Sequence, residues 1–127
     1  MRRALAALAL VLAGCADETI SGYAAPGPWR LVSIDGEPYP AEATMDLSVP
    51  GRVSGRGPCN GWSAAQRVPY PWFEIGPVTA TRMACPALAD EAAFFGALEA
   101  MELAEASGDV LVLSTADGRE MEFRRQP

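Results

Sequence analysis

Between Trp29 and Phe123 the chain is cut so often by glycine, proline and Asp-Gly pairs that only one stretch runs long enough to form a helix. That stretch is Leu88 to Met101, rich in Ala, Glu and Leu, with Phe94, Phe95, Leu98 and Met101 recurring at steps of three and four. Pro86 suits a first helical turn, where its missing N–H costs nothing. Asp90 and Glu91 sit near the positive end of the helix dipole. Everything else in the domain must fold as short strands and turns.

The strand candidates follow from alternation. Trp29-Arg30-Leu31-Val32-Ser33-Ile34 alternates and breaks at Asp35-Gly36, and Met45 to Val49 alternates and stops at Pro50-Gly51. Arg52 to Arg56 then reads as the return arm of a hairpin with Met45–Val49. Trp72-Phe73-Glu74-Ile75 is a short candidate ended by Gly76-Pro77. Asp109 to Ser114 and Glu120 to Phe123, joined through Asp117-Gly118, form the clearest hairpin in the sequence. Many short strands with one helix predict a mainly β, α+β domain, either a roll or a small antiparallel barrel-like body with the helix on an end or face.

The chemistry available is narrow. The 127 residues contain no histidine and no lysine, ten arginines and sixteen acidic residues, for a net charge of -6. Nucleic acid is excluded as a partner, because phosphate binding needs a basic footprint. Without histidine the usual general base and the usual metal ligand are both missing, and without lysine so is Schiff-base chemistry. No metal site, cofactor or catalytic residue is expected, and the chain is not read as an enzyme.

The first residues read as an address. Met1-Arg2-Arg3 precedes Ala4 to Ala13, an apolar run too short for a membrane span of about 20 residues. It ends in Leu12-Ala13-Gly14-Cys15, similar to the bacterial lipobox, in which the cysteine is acylated and begins the mature chain. A plain signal peptide with an incidental cysteine, or an Ala-rich core helix, is the alternative. Residues 1–14 are thus taken as a lipoprotein signal peptide, 15–28 as the acylated N-terminus and tether, and 29–125 as the domain. Removing Arg2 and Arg3 with the leader takes the formal charge to -8. Such a domain gains nothing from anionic headgroups, so the acyl chains at Cys15 would hold it at the membrane. Ala16 after the cysteine favours the periplasmic face of the outer membrane over the inner membrane, although Asp17 lies next to it.

Cys59 and Cys85 remain as an even pair in an exported chain, and a disulfide is the direct reading. Two reduced buried thiols are the alternative. Trp62, Tyr70, Trp72 and Phe73 lie close in sequence, spaced by Pro69 and Pro71. They are either core residues or a rigid aromatic patch for a ligand or partner, with core preferred. Glu91 shares a helical face with Phe94, Phe95 and Leu98, so its charge must be exposed at the helix end or paired. Arg82 or the backbone amides of the Cys59 loop are the candidate partners, and a structural acceptor is favoured over a catalytic acid.

Taken together, these residues resemble the META domain family, in its heat-inducible HslJ-type bacterial form. Trp29-Arg30-Leu31 with Asp35-Gly36, and Arg52-Val53-Ser54-Gly55 leading to Cys59-Asn60-Gly61, are similar to the family's first half. Thr81-Arg82-Met83-Ala84-Cys85-Pro86, then Glu91, Phe94 or Phe95, and Leu98, resemble its second half. Leu111-Val112-Leu113, Asp117-Gly118 and Phe123 resemble its closing hairpin. Pro58 departs from the glycine common before the Cys-Asn pair, and Ser63 to Pro71 departs from the family's usual strand. The resemblance implies a small β-barrel-like domain with one helix, linked to envelope stress, and carries no catalytic residues. Function is therefore expected to rest on a lipid-anchored domain working through protein contacts, with a carrier of a small apolar ligand in the barrel interior as the alternative.

Overall fold

The computed structural model describes residues 16–126. Strand β1 (Trp29–Ile34) turns at Asp35-Gly36 into the two-residue β2 (Glu37–Pro38), and β3 is Thr44–Met45. Strands β4 (Arg52–Arg56), β5 (Gly61–Ala65) and β6 (Thr79–Ala80) come next, then helix α1 (Leu88–Ala100). Strands β7 (Leu103–Ser107), β8 (Val110–Ser114) and β9 (Glu120–Arg125) complete the chain. A 3₁₀ turn at Ile20–Gly22 precedes them.

The strands form two antiparallel sheets. One has the order β2-β1-β9-β8-β7, with β3 sharing the β1 edge with β2, and the other is β4-β5-β6. The expected barrel therefore does not close. Where the sheets meet, β3 and β4 are joined by a single bridge, Asp46 to Ser54. Gly55 is packed so tightly there that an added Cβ would lie 2.0 Å from the Thr44 carbonyl oxygen. At the other side the connection is again made by isolated bridges, Gln66 to Ile75 and Trp72 to Leu103. On this side Pro69 and Pro71 remove donors that a continuous ladder would need. The hairpin expected from Met45–Val49 and Arg52–Arg56 is reduced to that one Asp46–Ser54 bridge, and β4 takes β5 as its partner instead.

Alternation explains the core. Leu31, Phe123 and Leu111 stand opposite one another across β1, β9 and β8, all buried, with Met121 and Leu113 in the next row. Helix α1 adds Phe94, Ala97 and Leu98, and Met101 follows at its end. Pro86 falls just ahead of the helix: Ala87 is the N-cap, and the Leu88 amide donates to the Cys85 carbonyl at 3.1 Å. The segment read as a tether is packed against the domain from Glu18 onward. Ile20 is 2% exposed, the Tyr70 amide donates to the Glu18 carbonyl at 2.7 Å, and Tyr23 stacks on Tyr70 with centroids 4.7 Å apart.

Candidate functional site

Three segments poor in apolar residues meet at one end of the molecule: the Gly57–Asn60 turn, the irregular run Thr81–Cys85, and the first turn of α1. Little hydrophobic burial is on offer there, so polar and covalent contacts hold them. Cys59 and Cys85 form a disulfide with Cα atoms 5.6 Å apart, which ties the turn to the chain just ahead of the helix.

Asn60 is the centre of the polar part. Its side-chain oxygen accepts from the Thr81 hydroxyl at 2.9 Å and the Met83 amide at 2.7 Å. Its side-chain nitrogen donates to the Met83 carbonyl at 3.0 Å and to Glu91 Oε1 at 2.6 Å. Glu91 Oε2 in turn accepts the Cys59 and Asn60 amides, both at 2.8 Å. An added Cβ at Gly57 would lie 2.6 Å from that oxygen, so only glycine lets the turn approach the carboxylate.

Glu91 is 3% exposed. Burial alone pushes its pKa up, but the bonds from the Asn60 side chain and the Cys59 and Asn60 amides outweigh it and leave the carboxyl below its ordinary value. The carboxylate's acceptor capacity is spent on three donors, which suits fixing a loop better than moving protons. Arg82 makes no ion pair with it; it is exposed and lines the neighbouring cleft. The partner among the two expected is thus the loop backbone. Tyr39 lies nearby, donating its hydroxyl to the Asp90 carbonyl at 2.7 Å, and burial together with Asp90 and Glu91 pushes its pKa up to about 12.

Beside this network lies an open cleft of about 580 Å³. Val78, Ala80, Phe95 and Leu88 give it apolar walls, and Asn60 and Glu91 reach it from the network. Met83, 68% exposed, and Leu88, 47% exposed, form its apolar rim.

The aromatic residues read as one possible patch are dispersed. Trp62 and Phe73 are core: Trp62 packs edge-on against Phe94 at 5.6 Å and donates its indole N–H to the Thr44 carbonyl at 3.2 Å. Tyr70 is half-buried between Tyr23 and β7, its hydroxyl accepting the Ala106 amide at 3.1 Å. Only Trp72 is largely exposed, at 57%. The period-two alternation separates neighbours onto opposite sides, so Trp72 faces out and Phe73 faces in. Cys15 lies outside the described residues. In the sequence Asn60 stands out only as part of the Cys59-Asn60-Gly61 motif, a short polar residue in a Gly/Pro turn beside a cysteine, with no role of its own.

A search of curated proteins gives no match. Among solved structures, the chain resembles a protein from Burkholderia xenovorans determined by NMR, with a TM-score of 0.63 and 21% identity. That likeness covers 84% of this chain and 86% of the other, and it speaks to the fold. The META domain model matches residues 24–127, which includes every element of both sheets, the disulfide and the Asn60–Glu91 network. The chain therefore belongs to the META domain family.

Proposed function

We propose that this is an exported lipoprotein, anchored through an acylated Cys15 at the periplasmic face of the outer membrane. Its META domain serves envelope maintenance or stress tolerance by contacting another envelope protein, and it performs no chemistry of its own. The observation that carries the reading is the Met83–Leu88 rim. A methionine that exposed would ordinarily sit on a loop free to fold its side chain away. Here the backbone is fixed at Met83 N, Met83 O and Cys85, so the apolar surface is presented in a set shape. Trp29, Phe73, Phe94 and Phe123 fill the interior, which favours a surface contact over an apolar ligand carried inside.

Site-specific photocrosslinking in living cells tests the contact. A photoreactive residue at Met83 or Leu88 should give a discrete adduct, and one at Val49, which is equally exposed but outside the cleft, should not. Equal yields at all three positions would remove the support. Acyl labelling tests the anchor separately: Cys15→Ser should abolish it, and a fully processed variant that still partitions with membranes would count against lipid attachment.

A further inference from the structure

A second groove, remote from the Met83 cleft, lies between residues 68–74 and the C-terminal end of α1, with a volume of about 410 Å³. Val68, Pro69 and Ala100 give it an accessible apolar lining over the buried Phe73 and Met101, and the exposed Trp72 forms part of its wall. The remaining charged lining is of one sign: Glu74, Glu99 and Glu102. Among the described residues, the three ion pairs engage Arg119, Arg124 and Arg125, and none reaches these carboxylates. Arg67, adjacent in sequence, makes no ion pair with them. Glu102 uses one oxygen, Oε1, to accept the Ala116 amide at 3.1 Å.

Trp72 is held where it is. Its amide donates to the Pro69 carbonyl at 2.9 Å, the Phe73 amide to the Glu102 carbonyl at 2.9 Å, and the Ala104 amide to the Pro71 carbonyl at 2.8 Å. Two of these bonds tie Pro71 and Phe73 to Ala104 and Glu102 at the start of β7, while the indole stays in solvent. An indole face attracts a cation through its quadrupole, most strongly when water is partly excluded. Three carboxylates with no ion-pair partner among the described residues, around an apolar lining, add long-range attraction and disfavour anions. The groove volume lies within the range of small-ligand sites.

We propose that this groove binds a small organic cation, an ammonium group carrying an apolar portion, with Trp72 against the cation and Glu74, Glu99 and Glu102 supplying the counter-charge. A neutral molecule of the same shape gains only the apolar contact, and an anion is repelled.

The three tryptophans provide the readout. The indole N–H groups of Trp29 and Trp62 are bonded internally, to the Ala25 and Thr44 carbonyls, and both rings are buried; Trp72 is the exposed one. In an NMR titration of the ¹⁵N-labelled full chain, choline should shift the Trp72 indole resonance saturably in the millimolar range, roughly −4 kcal/mol at 1 mM. The Trp29 and Trp62 resonances should stay in place. The neutral isostere 3,3-dimethylbutan-1-ol should bind about fivefold or more weakly. Glu99→Gln with Glu74→Gln should weaken choline by a similar factor while leaving the other two indole signals, and hence the fold, unchanged. Equal shifts from choline and the neutral isostere, no saturable shift, or full choline affinity in the double variant would each overturn the proposal.

Discussion

Two carboxylates in this molecule do the same job in opposite surroundings. Glu91, itself buried, accepts two backbone amides and an Asn side chain at the N-terminal end of α1; Asp35 accepts the Glu120 amide at 3.0 Å and the Arg119 guanidinium at 3.1–3.2 Å on an exposed turn. Behind Asp35 stands the apolar row Leu31–Phe123–Leu111, which holds β1, β9 and β8 together whether or not the turn is tied. The Gly57–Asn60 turn carries no large apolar side chain of its own; the nearest apolar packing, Trp62 on Phe94 and Phe95, belongs to β5 and α1, and Glu91, Asn60 and the disulfide tie the turn to it. The difference teaches that a carboxylate's worth to a fold depends less on its bonds than on what else secures the segments it joins.

The largest effect should come from the apolar end. Phe123→Ala removes a fully buried ring from the centre of its row and should cost about 3–5 kcal/mol in urea unfolding. A loss below that of any change at the polar end would reverse the comparison. Next comes the covalent tie. Replacing both Cys59 and Cys85 with serine frees a separation of 26 residues in the unfolded chain and should cost roughly 2–4 kcal/mol. Non-reducing mass spectrometry of alkylated protein taken from cells gives the direct check, since alkylation of both Cys59 and Cys85 would mean the bond is absent.

The third change isolates Glu91. In Glu91→Gln the side-chain oxygen can still accept the Cys59 and Asn60 amides, but its NH₂ then faces the Asn60 NH₂. Asn60 cannot flip to help, because its oxygen is already taken by Thr81 and Met83. The cost should be about 1–3 kcal/mol at neutral pH. Because the folded-state pKa lies below the unfolded value near 4.5, the charged carboxylate stabilises the fold above that pH. The contribution is lost as pH falls through the folded value. The gap between wild type and Glu91→Gln should therefore shrink below pH 4.5, and a gap independent of pH would mean the charge contributes nothing.

These contrasts also explain what was readable beforehand. Strand β1, helix α1 and the β8–β9 hairpin announce themselves because one face of each is buried, and burial writes a period into the sequence. Strands β5 and β7, Gly-Trp-Ser-Ala-Ala and Leu-Ala-Glu-Ala-Ser, are rich in small residues of low β-propensity, and pairing with neighbours rather than local preference makes them strands. Ile20 is a single apolar residue in a polar Gly/Pro setting, so no periodicity marks it as core. The disulfide was legible by counting cysteines, whereas Asn60 was not, since its importance arises from three segments that only the fold brings together. Strand number is compatible with a roll or a barrel; closure needs a continuous ladder, and at the Trp72–Leu103 bridge Pro69 and Pro71 withhold donors for one.

The smallest effect should be at Asp35, and its salt dependence sharpens the comparison most. Asp35 has φ +52, a left-handed conformation that Asn accepts at least as well as Asp and that Ala does not. Asp35→Asn therefore removes the charge without adding backbone strain, and its side-chain oxygen can keep the Glu120 amide. The neighbouring backbone contact, the Asp35 amide to the Glu120 carbonyl at 2.7 Å, is untouched. What is lost is the attraction to Arg119, and both groups are substantially exposed. Such pairs are weak and screened. The Glu120 amide, followed by Arg119, holds the Asp35 carboxyl below its ordinary value, so its contribution is present above pH 3.8 and fades as pH falls through the folded value. At low salt Asp35→Asn should unfold slightly more easily than wild type. In 1 M salt, where the screening length is about 3 Å, the difference should disappear. The Glu91→Gln loss should persist in the same salt, because its carboxylate meets its donors out of reach of counterions. If both losses vanish together in salt, burial is not what separates the two carboxylates.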